Sequence, residues 1–161
     1  AARNGHLPKN FNQWDLADNE GWTVAHEAAR NDHLPKNFNQ WDLADNEGWT
    51  VAHYAVEHVS FPKDSEYWRY KTIETGWTVA HEAAVKEVLP KDFDQWDLRD
   101  NKGQTVAHIM ARRGLLPKTF NKWTKQFFEI AISNNHVFNW LVMNIGSKIN
   151  IVFKEDVYGQ S

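Results

Sequence analysis

The chain has 161 residues, 18 Lys+Arg against 21 Asp+Glu for a formal net charge of -3, and no cysteine. That balance gives no electrostatic reason to expect nucleic acid or an anionic membrane, and the lack of thiols excludes disulfides and thiolate metal sites. Hydrophobic residues at 42% and charged residues at 24% are ordinary for a soluble fold, whereas nine tryptophans are not. No apolar run approaches the roughly 20 residues of a membrane span, and Ala1-Ala2-Arg3-Asn4-Gly5 is no signal peptide.

Ala1-Ala2-Arg3-Asn4 repeats Ala28-Ala29-Arg30-Asn31, so the sequence is expected to open part-way through a unit of an array that continues upstream in a longer protein. Leu7-Pro8 is predicted to open a short helix, since proline fits the first helical position. Leu7, Phe11 and Trp14 then form one apolar stripe at i, i+4 and i+7. Asp15 to Gly21 reads as an Asp/Asn/Gly turn with Leu16 as its buried residue. Thr23 is placed to cap the next helix, whose Val24, Ala25, Ala28 and Ala29 make a small-residue face. Asn31-Asp32, tolerant of positive φ, should end it.

The same letters then return. Gly21-Trp22-Thr23-Val24-Ala25-His26 recurs as Gly48–His53 and Gly76–His81, and as Gly103–His108 with Gln104 in place of tryptophan. The glycines step by 27, 28 and 27 residues; Pro35, Pro62, Pro90 and Pro117 and then Trp41, Trp68, Trp96 and Trp123 keep the register. A fixed period of this length signals stacked supersecondary units that touch only their neighbours. His33–His53 duplicates His6–His26 letter for letter, while the unit from Val59 to Glu87 diverges: Ser65 replaces the stripe phenylalanine, and Val59 and Glu87 occupy the helix-ending position. A positive φ strains a β-branched residue, so those two helices are expected to end differently. Residues 1–123 are read as the array and 124–161 as an atypical capping repeat and tail, with helices near 127–136 and 137–145 and a short strand at 149–153.

These letters, Asp18-Asn19-Glu20-Gly21-Trp22-Thr23-Val24-Ala25-His26-Glu27-Ala28-Ala29 with Asp32-His33-Leu34, resemble the ankyrin repeat, whose signature is a turn, glycine, Thr-Pro-Leu-His, a double alanine and Gly-His-Leu. Thr-Val-Ala-His stands for Thr-Pro-Leu-His here, and the units are 27 residues long against about 33 in the family. The resemblance implies an all-α helix-turn-helix solenoid with a shortened second helix and an interaction role. It implies that each histidine bonds the threonine three positions earlier and nearby backbone, and that the slot after the turn glycine, with the two residues before it, lines a concave partner surface.

Two sets of residues follow. The pairs Thr23–His26, Thr50–His53, Thr78–His81 and Thr105–His108 are read as structural. Stacking sets neighbouring histidines roughly 8–10 Å apart, too far to share a zinc that holds its ligands at about 2.0–2.1 Å, so no metal is expected. Trp22, Trp49, Trp77 and Gln104, beside Asn19, Glu20, Asn46, Glu47, Asn101 and Lys102, are the candidate partner contacts. Aligned indoles mark interaction sites; equally, each could lie over its neighbouring turn and stiffen the array. Trp14, Trp41, Trp68, Trp96 and Trp123 read as core, and the lysines after each proline as a solvated face.

No cysteine nucleophile, phosphate-cradling loop or carboxylate pair suggests catalysis, and no cofactor is expected. The reading is a module holding a protein partner, not nucleic acid or membrane, in a cytoplasm of its own or of a host. The alternatives are the targeting arm of a larger enzyme or secreted effector, and a self-associating scaffold.

Overall fold

The computed structural model describes residues 8, 10–117, 120, 121, 127 and 129. Four short helices carry the array: α1 (Val24–Arg30), α2 (Val51–Ala55), α3 (Val79–Lys86) and α4 (Val106–Arg112). α1, α2 and α3 are each followed by an outer segment that runs from the proline to the tryptophan, then by a turn that projects as a hairpin tip. A single antiparallel bridge closes each tip, from Ala17, Ala44, Lys71 and Arg99 to the capping threonine of its own unit. Helices of five to eight residues are far below the ~12–15 residues at which an isolated helix becomes marginal in water. Packing against neighbours holds them. Ala25, Ala28, Ala29, Ala52, Ala55, Ala80, Ala83, Ala84, Ala107 and Ala111 are all buried, letting α1 pack on α2, α2 on α3 and α3 on α4.

Every helix N-terminus is satisfied by the preceding tip and outer segment, which answers its orphan N–H groups in turn. In the first unit Val24 N–H donates to the Leu16 carbonyl (3.0 Å) and Ala25 N–H to the Trp14 carbonyl (3.1 Å). His26 N–H donates to the Thr23 hydroxyl (3.2 Å), and Thr23 N–H to His26 Nδ1 (3.1 Å). Leu43 and Trp41 serve α2, and Leu98 and Trp96 serve α4, in the same way.

The outer segments differ from the sequence reading. The helix expected between proline and tryptophan is absent from the described outer segments of the regular units. Each makes one turn closed by Phe38 N–H on the Pro35 carbonyl (2.9 Å) or Phe93 N–H on the Pro90 carbonyl (3.0 Å), then a second closed by Leu43 N–H on the Gln40 carbonyl (3.4 Å) or Leu98 N–H on the Gln95 carbonyl (3.3 Å), with no continuous helix joining them. Asparagine and aspartate, which favour turns over helix interiors, are frequent in both segments. Among the described residues only the divergent unit makes a helical stretch here, a 3₁₀ segment at Glu66–Arg69 capped by Ser65. The apolar stripe survives the loss of the helix.

That stripe is a continuous edge-to-face column. Trp14–Phe38, Phe38–Trp41, Trp41–Phe61, Phe61–Trp68, Trp68–Phe93, Phe93–Trp96 and Trp96–Phe120 have ring centroids 4.8–6.0 Å apart and planes at 81–89°. Such pairs add roughly 0.5–1.5 kcal/mol each beyond the area they bury. Trp14, Trp68 and Trp96 are buried and Trp41 half-buried, as core residues should be. In the divergent unit the missing phenylalanine at Ser65 is made good by Phe61, which enters the column from the other side of Pro62.

Leu16 departs from its expected burial and is 55% exposed, while the matching Leu43 and Leu98 pack on the core; no described unit lies upstream of Leu16 to cover it. The end of α1 follows the sequence reading at Asp32 (φ 57°), and Gly114 takes the same left-handed conformation after α4 (φ 71°). At both, the residue after the left-handed position bonds five residues back, in a loop of six residues: His33 N–H to Ala28 and Leu115 N–H to Met110. Val59 avoids this conformation, and α2 closes with Val59 N–H on the Ala55 carbonyl. Glu87 does not avoid it: its φ is 62°, against expectation, and Val88 N–H completes the same six-residue bond to Ala83. Arg113 Nε bonds the Glu87 carboxylate at 3.1 Å. The expected capping repeat and tail, and Trp123, Lys9 and Lys118, lie outside the described residues, apart from Phe127 and Glu129.

Candidate functional site

Three of the four described tips are built on one carboxylate each. Asp18 Oδ1 accepts from the N–H groups of Glu20 and Trp22, both at 2.9 Å; Asp45 and Asp100 repeat the arrangement. Thr72 takes this place in the divergent unit, its hydroxyl accepting from Trp77 N–H (3.0 Å). The acidic character of the tips is therefore partly architectural.

Successive tips are joined. Asn46 N–H donates to the Glu20 carbonyl (2.9 Å) and Asn46 Nδ2 to the Asn19 carbonyl (2.9 Å). Ile73 N–H reaches the Glu47 carbonyl (2.8 Å), and Asn101 bonds the Thr75 carbonyl through N–H and the Glu74 carbonyl through Nδ2 (both 2.8 Å). The approach is close enough that a Cβ at Gly48 would sit 2.8 Å from the Ile73 nitrogen, and Gly48 has φ 84° besides. Two separate constraints therefore demand glycine.

Behind the tips run the histidines. In all four units the ring Nδ1 accepts the threonine N–H and lies 2.5–2.8 Å from its hydroxyl. An Nδ1 that accepts carries no proton, so Nε2 does. Nε2 donates forward to the next unit: His26 to the Trp49 carbonyl (2.9 Å), His53 to Trp77 (3.2 Å), His81 to Gln104 (3.0 Å) and His108 to Phe127 (2.8 Å). In the second and fourth units the histidine N–H also reaches the threonine carbonyl, His53 at 2.9 Å and His108 at 3.0 Å. Burial lowers the pKa of all four rings, that of His53 to about 4, with the forward backbone bond opposing. Each histidine thus bonds the threonine three positions earlier and, through its other nitrogen, a carbonyl further along the chain.

The fold is an ankyrin-like repeat array.

No family model matches the chain, and no curated protein matches it. Among solved structures it is similar to the ankyrin repeat domain of Bcl-3, described as a unique member of the IkappaB protein family, at 17% identity and a TM-score of 0.46. The likeness covers 66% of this chain and 56% of that one, so the chain spans little more than half of its length. The fold rests on the geometry of the units themselves.

The candidate contact residues of the ankyrin-like tips divide by position. Asn19, Glu20, Asn46, Glu47, Asn101 and Lys102 are exposed on the row of tips, although the amides of Asn46 and Asn101 also serve as its joints. Trp22, Trp49, Trp77 and Gln104 are half-buried, and their carbonyls, Trp22 excepted, receive the histidine bonds. Each indole lies against its own histidine ring at 4.9–5.3 Å. Trp22 and Trp77 donate Nε1–H to Glu27 (3.3 Å) and Glu82 (3.0 Å) one helical turn on.

Sequence reasoning misses Tyr54. It stands where the other units have Glu27, Glu82 and Ile109, and its ring packs on Trp22 (4.8 Å) and Trp49 (5.9 Å) across the junction. An aromatic letter at an otherwise non-aromatic position of the repeat is the signal that could have found it. Among the described residues no group of three or more His, Cys, Asp or Glu side chains could hold a metal ion, and no helix is long and apolar enough to cross a membrane.

Proposed function

We propose that the array is a protein-interaction module and that the row of hairpin tips, with the half-buried indoles behind it, is the surface that takes the partner. The observation that carries this reading is the joining of the tips. Backbone and asparagine bonds from Asn46, Ile73 and Asn101 fix each tip to its predecessor while leaving the carboxylates of Glu20 and Glu47 and the ammonium of Lys102 exposed. A surface held rigid before binding loses less conformational entropy on association. The residue before the turn glycine is Glu20 and Glu47 in the first two tips, Thr75 in the third and Lys102 in the fourth, while a backbone joint recurs at every junction between them; a common scaffold can carry a specific surface in this way.

The test is a comparison of two substitution sets in proteins with equal thermal midpoints. Glu20, Glu47 and Lys102 changed to alanine should abolish capture of a partner, whereas Lys36 and Lys91 changed on the opposite edge should not. Equal capture by both sets would remove the tips from the interface. Sedimentation equilibrium over a wide concentration range separates partner binding from a self-associating scaffold, which would show a concentration-dependent mass that the tip set abolishes.

A further inference from the structure

Between the first two tips lies a recess of about 430 Å³ lined by Glu20, Trp22, Asp45, Asn46, Glu47 and Tyr54. Its composition is unusual for this chain: two aromatic walls, three carboxylates, one amide and no basic side chain. The walls form a corner, with the Trp22 and Tyr54 ring centroids 4.8 Å apart and their planes at 75°. An incoming group can therefore meet one ring on its face while lying beside the other. Asp45 is partly engaged by the N–H groups of Glu47 and Trp49. Glu20 and Glu47 are exposed at the rim and make no ion pair among the described residues.

The next two junctions share the backbone but not the chemistry. At the second, Thr72 and Ile73 replace Asp45 and Asn46 in the tip bonds, and Glu82 stands in the place of Tyr54. At the third, Lys102 stands in the place of Glu47 and Ile109 in that of Tyr54. The first junction alone, among the described residues, joins an acidic rim to an aromatic corner.

We infer that this recess is a subsite for a basic side chain, lysine or arginine, presented by the protein partner. A cation over an aromatic face gains roughly 0.5–1 kcal/mol at exposed sites and about 2 or more when desolvated. Carboxylates at the rim add attraction and steer the encounter. The local field agrees with this occupant. Burial, followed by the charges of Asp45, Glu47 and Glu82, pushes the Tyr54 phenol up to about 12, with Arg30 the opposing charge nearby. The surroundings that disfavour a phenolate favour an added cation.

The inference rests on the tips being the partner surface, and its test is independent of any partner. A capped Gly-Lys-Gly peptide, its arginine and norleucine counterparts and tetramethylammonium chloride are titrated at constant ionic strength, following the indole N–H resonances. The lysine and arginine peptides should shift the Trp22 indole N–H saturably and leave that of Trp77 in place. Norleucine should shift neither. Glu20→Gln with Glu47→Gln, which removes two charges from exposed positions without altering shape, should weaken the lysine peptide at least about tenfold at an unchanged thermal midpoint. Tyr54→Ile, the letter of the fourth unit, should also weaken it, with the fold monitored by the dispersion of the remaining resonances.

An unmoved Trp22, an equal response at Trp77, or equal affinity in the glutamine variant would overturn the subsite. Tighter binding of tetramethylammonium than of the lysine peptide would likewise overturn it, because the carboxylates would then play no part. A Trp22 response in a protein whose tip substitutions leave partner capture unchanged would uphold the cation site and sink the tip interface. The reverse pattern would do the opposite.

Discussion

The ring of His53 fastens α2 to the unit after it, donating Nε2–H to the carbonyl of Trp77 (3.2 Å) while Nδ1 accepts from Thr50 N–H (3.0 Å). His53 is 1% and Thr50 6% exposed, so the Thr50 N–H has no water as a substitute partner. Changing His53 to alanine strands that N–H, takes from the Trp77 carbonyl one of its two donors (Thr72 N–H remains) and opens a cavity beside Trp49. The expected cost is about 3 kcal/mol, summing one unsatisfied buried donor with a lost packing contribution. Urea denaturation checks it. A loss under about 0.5 kcal/mol, the scale of an ordinary surface change, would remove His53 from the framework.

The same bonds make stability depend on pH. The four rings are neutral when folded because burial lowers their pKa, while in the unfolded chain they titrate near the ordinary 6.5. The unfolded state therefore binds more protons as pH falls, and stability rises with pH wherever that holds. The contribution is intact above about 6.5 and drains away between 6.5 and about 4, the folded value of His53. For His53 alone, the gap between those two values corresponds to about 3 kcal/mol. Denaturant melts from pH 7.5 to 5 should show a falling midpoint, and His53→Gln should flatten the slope. A midpoint constant over that range would mean that the rings take up protons in the native state as readily as in the unfolded chain.

The repeat, the threonine caps, the small-residue helix faces and the threonine–histidine bonds were legible in the sequence because each acts within a few residues and recurs in every copy. What escaped depended on neighbours in space. The outer segments carry a helical apolar spacing, yet in the regular units they fold as separate turns whose tryptophan carbonyl then meets Ala25 or Ala52 of the following helix. Tyr54 reads as a plain substitution until the junction sets it against Trp22. The tip row was legible as a set of letters, but which amides join it and which carboxylates stay free was not.

Helix endings give opposite signs at equivalent positions. Asp32 and Glu87 sit at φ 57° and 62°, where glycine carries no Cβ penalty. Asp32→Gly and Glu87→Gly should each stabilise by roughly 0.5–1 kcal/mol, the strain relieved less the added freedom of the unfolded chain. Glu87 loses an exposed pair with Arg113, and such pairs contribute little. Val59→Gly in the same register should destabilise, since Val59 packs on the core and keeps φ negative. Thermal midpoints of the three variants settle it, and three shifts of one sign would mean that the endings are equivalent after all.

Phe61 carries the divergent unit. It meets Trp41 at 5.1 Å and Trp68 at 5.7 Å and is 4% exposed, standing in for the phenylalanine that Ser65 displaced. Without it the aromatic column breaks between the second and third units, where α2 and α3 also pack. Phe61→Ala should cost about 3–5 kcal/mol, the range for a buried phenylalanine whose cavity cannot collapse. In a stack stabilised by nearest-neighbour interfaces, the loss should also uncouple the halves. Hydrogen exchange should then show α3 and α4 opening separately from α1 and α2, where the unaltered protein opens as one. A variant that loses this much stability yet still unfolds in a single step would place the coupling in the histidine bonds and the alanine faces, with the column contributing only burial.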